Sequence, residues 1–177
     1  MAEYSRITDP SLQARAAARY VAEIASLERI GFRHLAYSLE ALGPFSALFQ
    51  LPVLLLTLPK REILAFPPPL RLAVANVLLA SLVPSTIALC MGMGVKLYTG
   101  FLDDTILISS TFQSHAVPAP TSAITKSQPF PTVELAWSGH KDRLRELERQ
   151  GRVVRPNLSF EHYVAMSHRE EDLSQYL

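Results

Sequence analysis

Between Leu72 and Val95 the chain runs 24 residues without a single charged side chain. The surroundings sharpen the contrast. Residues 1–33 carry five basic and four acidic groups, and residues 132–177 carry seven and eight, while the 98 residues between hold nine charged groups in all. Within 35–59 the one charge is Glu40. An apolar centre of this length must be covered by protein, by a partner or by lipid.

The periodicity inside the stretch chooses among these. Ile87, Leu89, Met91, Met93, Val95 and Leu97 alternate with Ala88, Cys90, Gly92, Gly94, Lys96 and Tyr98. Period two belongs to a strand, and a membrane helix has no reason to show it. Asn76, Ser81, Pro84, Ser85 and Thr86 interrupt the run further, with Pro84-Ser85 reading as a turn. Strands are therefore predicted at 71–80, 86–100 and 105–112, with Leu102 to Thr105 as a hairpin turn and a short strand at Phe32–Leu39.

The charged ends read as helices. Asp9 caps a helix over 10–30, with Pro10 at its first position and Gly31 as its stop. Thr132 caps a second over 133–150, whose stripe is Val133, Trp137, His140, Leu144 and Leu147. Ser159 caps a third over 160–175. The whole chain, 1–177, is expected to be a single α+β domain: a mostly antiparallel sheet of four or five strands packed by an N-terminal helix and two C-terminal helices. Its parts are the helix at 10–30, an apolar segment at 44–66, antiparallel strands over 71–112, a Pro/Ser/Thr-rich connector at 113–131 and the C-terminal helices over 132–177.

Composition excludes several classes. With 17 basic and 16 acidic residues the net charge is +1, which lacks the basic excess of a nucleic-acid binder. The hydrophobic fraction of 49% is too high for a disordered chain. One cysteine rules out an internal disulfide and a Cys-pair zinc site. The first thirty residues mix charged and apolar positions with no apolar h-region, and a lone thiol fits a reducing compartment. A cytoplasmic location follows, with peripheral attachment to a membrane as its extension.

No motif for catalysis emerges. Cys90 has no basic neighbour in sequence and reads as buried and structural. Gly92 and Gly94 form a GxG followed by a strand, so the helix N-terminus that would hold a phosphate is missing. Asp103 and Asp104 suit a turn, and Ser109-Ser110-Thr111 lacks the GxSxG setting. The five histidines, His34, His115, His140, His162 and His168, show no HExxH, and His162 and His168 fall on different helix faces. No catalytic residue, metal site or cofactor is implied.

The small residues Ala88, Cys90, Gly92 and Gly94 make one strand face that something must approach closely, and the Trp137 helix is the favoured occupant. Were it a ligand instead, the binding residues would be Cys90, Gly92, Gly94, Tyr98, Trp137 and His140. Three readings result. In the first the chain is a non-catalytic module that binds a protein or a membrane surface through 44–66, a run too short to span a bilayer. In the second it is an integral membrane protein with a helical hairpin at about 44–58 and 72–95. In the third the small strand face is the floor of a small-molecule or enzyme site.

Overall fold

The computed structural model describes residues 3–41, 63–66, 71–112, 124–126, 129–156 and 158–174. It is an α+β fold built on one sheet. The strands are β1 (Glu3–Arg6), β2 (Arg33–Ala41), β3 (Ile63–Phe66), β4 (Arg71–Ser81), β5 (Thr86–Met91), β6 (Gly94–Gly100), β7 (Ile106–Ser110) and β8 (Ile124–Lys126). The helices are α1 (Pro10–Arg19), α2 (Val21–Arg29), α3 (Val133–Arg149) and α4 (Phe160–Ser174). The sheet order is β1-β2-β4-β5-β6-β7-β8, and the first six of these pair antiparallel throughout. Eight strands among the described residues replace the four or five expected, because short strands lie in segments read as helix flank, apolar run and connector.

β4 is the axis of the sheet. One of its edges pairs with β2 from Ala73 to Ala80. The other is shared, with β5 against Val77–Ser81 and β3 against Arg71–Val74. The residues expected as a membrane helix over 72–95 are thus β4, the following turn, β5 and the start of β6, which overturns that half of the helical hairpin. Its other half, 44–58, lies outside the described residues. Of the apolar segment 44–66, the last four residues are β3. Of the connector 113–131, Ile124–Lys126 forms β8, parallel to β7. The thirteen residues between Ser110 and Ile124 meet the dozen or more that a parallel connection needs.

Two cores lie on opposite faces of the sheet. Ala75, Val77, Leu79, Ala88, Cys90, Val95 and Leu97 face α1, α2 and α3, where Ala16, Tyr20, Leu27 and Trp137 close over them. Leu78, Ile87, Leu89, Tyr98, Ile106 and Ile108 face α4, against Phe160, Tyr163 and Met166. A strand between two helical layers has no wet face, so charges are absent from β4 and β5 after Arg71. Each buried Leu or Ile here contributes about 1.5–3 kcal/mol relative to exposure.

Two expected elements are divided. The helix at 10–30 breaks at Tyr20, whose backbone leaves helical geometry (φ −112°, ψ 25°) while its hydroxyl donates to the Ala75 carbonyl at 3.2 Å. The strand at 86–100 folds back at Gly92-Met93, with Met91 opposite Gly94. Asp9 and Thr132 cap as read: their side chains accept from the Leu12 and Leu135 amides at 2.9 and 3.2 Å.

Candidate functional site

The hairpin redistributes the residues singled out in the sequence. In a two-residue turn Cys90 pairs with Val95 and Ile87 with Tyr98, so odd and even positions exchange faces. Cys90 and Trp137 share the core under α3. Tyr98 is on the opposite face, under α4. Gly92 is in the turn, and Gly94 starts β6 at φ +139°, where an added Cβ would run into Thr111 Oγ1. The ring of Trp137 fills the space above Ala88 and Cys90, packing edge-on against Phe32 at 4.9 Å. Burial pushes the Cys90 thiol well above its ordinary range, with the charge of Glu23 adding to it. A thiol held in that form is a packing group.

His140 is wholly buried and sits between two strands. One ring nitrogen, Nε2, is 2.9 Å from Thr99 Oγ1, and the other, Nδ1, is 2.9 Å from Ser109 Oγ. Thr99 Oγ1 in turn lies 2.8 Å from Thr86 Oγ1. Burial lowers the imidazole pKa to about 3, so the ring is neutral at ordinary pH, with one nitrogen donating and one accepting. The chain of hydroxyls ties α3 to β5, β6 and β7, and both functional atoms of the ring are occupied by it.

A second polar cluster lies beneath α4. Lys96 Nζ is 3.1 and 3.2 Å from the two Glu170 oxygens, and the Tyr98 hydroxyl donates to Glu170 Oε2 at 2.8 Å. The Lys96 and Glu170 side chains are only 13% and 11% exposed, which makes this a desolvated pair. Tyr4 donates to Glu171 at 2.8 Å, and Asn76 donates to Glu40 at 3.2 Å. The ring of Tyr163 stands edge-on to both Tyr4 and Tyr98. Burial raises the Tyr98 phenol well above its usual pKa, and the Glu170 charge adds to that. Sequence reasoning missed this cluster, since Lys96 and Glu170 are 74 residues apart. The available signal was Lys96 itself, a cation in the middle of an apolar strand.

A cleft of about 90 Å³ opens between α4 and the β6–β7 turn. Phe101, Ile106 and Met166 form its apolar wall, and Arg155, Arg169, His162 and Asp104 its polar rim. Arg155 is anchored twice: its amide donates to the Gly100 carbonyl at 2.9 Å, and its guanidinium donates to Asp104 at 2.8 Å. His162 is held below its ordinary pKa by burial and by the Arg155 charge. At Gly100 an added Cβ would sit 2.8 Å from His162 Nε2, so the missing side chain is what lets the ring close over the strand. Nothing in the sequence joined Gly100, Arg155 and His162, which come from three separate elements.

Among the described residues no group of three or more His, Cys, Asp or Glu side chains is placed to hold a metal ion. Among the same residues no helix is long and apolar enough to cross a membrane. Comparison of the chain with protein-family models, with curated proteins and with solved structures finds no match in any of the three.

Proposed function

We propose that the chain is a non-catalytic binding module that docks on a lipid surface from the cytoplasmic side, through the apolar run that begins at Pro44. The placement of the two strands flanking that run carries the reading. β2 ends at Ala41 opposite Ala73, and β3 starts at Ile63 opposite Val74, on the other side of β4. The ends of the 21-residue stretch between them are therefore level, two strand spacings or about 10 Å apart. A stretch tethered in this way must leave the sheet and return to it. A single pass across a bilayer needs about 20 apolar residues with its ends on opposite sides. An excursion and return within 21 residues reaches one leaflet, as an interfacial anchor does. The chain supplies the side chains for it in Phe45, Leu48, Phe49, Leu51, Val53, Leu54, Leu55, Leu56 and Leu58.

The reactive side chains support the absence of chemistry in this reading. His140 and Cys90 are spent on packing and on hydrogen bonds between elements. Docking is tested by flotation of the full chain with neutral phosphatidylcholine vesicles. The chain is expected to float with the vesicles, to be released by an alkaline wash, and to lose flotation when Leu54 and Leu56 are changed to Glu. A chain that stays at the bottom of the gradient contradicts the reading in favour of a protein partner. One that resists the alkaline wash contradicts it in favour of an integral protein.

A further inference from the structure

We infer that the cleft between α4 and the β6–β7 turn is a binding site for a small carboxylate with a short aliphatic body, its headgroup held by Arg169 and Arg155 and its body lying on Phe101, Ile106 and Met166. The site is at the opposite end of β4 from Ala41 and Ile63, and it stands apart from the lipid-docking reading.

Charge is the first argument. The rim carries two guanidinium groups and one carboxylate, and Asp104 is engaged by Arg155. Arg169 has no ion-pair partner among the described residues and lines the same opening. An anion is drawn there and a cation repelled. Guanidinium forks match the planar, two-oxygen geometry of a carboxylate.

The wall is the second argument. Phe101, Ile106 and Met166 are almost wholly buried and present carbon and sulfur to the cleft. A phosphate or sulfate needs donors on every side and would find none along that wall. An aliphatic chain of a few carbons gains by covering it.

Size is the third. A single water needs about 10–15 Å³, so about 90 Å³ holds roughly half a dozen non-hydrogen atoms. Butyrate has that size, whereas a nucleotide or a peptide does not fit. Gly100 sets the inner limit, because His162 Nε2 and Met166 Sδ close down on its backbone, each within 3.2 Å of where a Cβ would be.

The test is an NMR titration of the full chain with sodium butyrate, acetate and phosphate at constant ionic strength, following the His162 ring. Butyrate is expected to give a saturable shift and to raise the His162 pKa, since an anion beside the ring favours its charged form. Acetate should bind more weakly, and phosphate should give only the small change seen with chloride. Arg169→Gln, an exposed position, should weaken butyrate about tenfold, as expected for loss of one charge-assisted contact. Arg143→Gln, on exposed α3 surface, should leave it unchanged. Equal responses to butyrate, phosphate and chloride, or a butyrate response indifferent to Arg169→Gln, would overturn the inference. None of these outcomes bears on flotation, so the two readings fail separately.

Discussion

His140 decides how this protein responds to acid. In the unfolded chain its imidazole takes a proton near pH 6.5, while in the fold burial holds it neutral down to about pH 3. Above pH 6.5 neither state is protonated, and the contribution of the folded network is intact. As pH falls below 6.5 the unfolded state gains a proton the folded state refuses, so stability drops progressively toward pH 3. Thermal unfolding of the full chain between pH 7 and 4 should show that decline, and His140→Gln should flatten it. Parallel pH profiles for the two would contradict the assignment. The stripe Val133, Trp137, His140, Leu144 and Leu147 was legible as a packing face. The partners of its histidine were not, because Thr99 and Ser109 carry no pattern that points at position 140. Lys96 and Glu170 make a second prediction. Glu170→Ala leaves the Lys96 charge nearly buried without its partner and should cost about 3 kcal/mol in denaturant unfolding. Replacing the group together (Lys96→Met, Tyr98→Phe, Glu170→Leu) should recover most of it. A single substitution within about 0.5 kcal/mol of the parent would show that the pair is solvated.

At the scale of elements, the caps and stops were readable because each rests on one or two neighbouring residues. Asp9, Thr132, Ser159 and Gly31 all act where the chain put them, with Gly31 at φ +99° and the His162 amide donating to Ser159 Oγ at 3.1 Å. The breaks inside elements were hidden. Alternation from Ile87 to Tyr98 continues without interruption through the Gly92-Met93 turn, since a two-residue hairpin preserves the sequence period while exchanging the faces. That exchange is why Tyr98, expected beside Cys90, lies on the other side of the sheet. The kink at Tyr20 is likewise set by a carbonyl 55 residues away. Gly94 tests the hairpin. Its positive φ disfavours any side chain, and a Cβ there would displace the Thr111 hydroxyl that accepts from the Val95 amide at 3.0 Å. Gly94→Ala should therefore cost about 2 kcal/mol, where an unstrained substitution of this kind is neutral or stabilising. Equal midpoints in urea for the two chains would show that the turn relaxes freely.

Across the whole molecule, the distribution of charge follows from the layering. Helices cover both faces of the sheet, so its central strands meet no water, and the charged residues collect on the helices outside. That much is written in the sequence as the contrast between the ends and the middle. The order of strands is not, since β3 and β8 are three or four residues long and are fixed by pairing with distant neighbours. The central claim is that the uncharged run from Leu72 to Val95 is buried as sheet by the chain's own helices, with no lipid required. Native-state hydrogen exchange of the full chain in plain buffer tests it most directly. The amides of β4 and β5 at Val77, Leu79, Ile87 and Leu89 are predicted to exchange only through global unfolding, with the same slow rates whether or not lipid is present. Rapid exchange at these positions in buffer, slowing only when detergent or vesicles are added, would contradict the account.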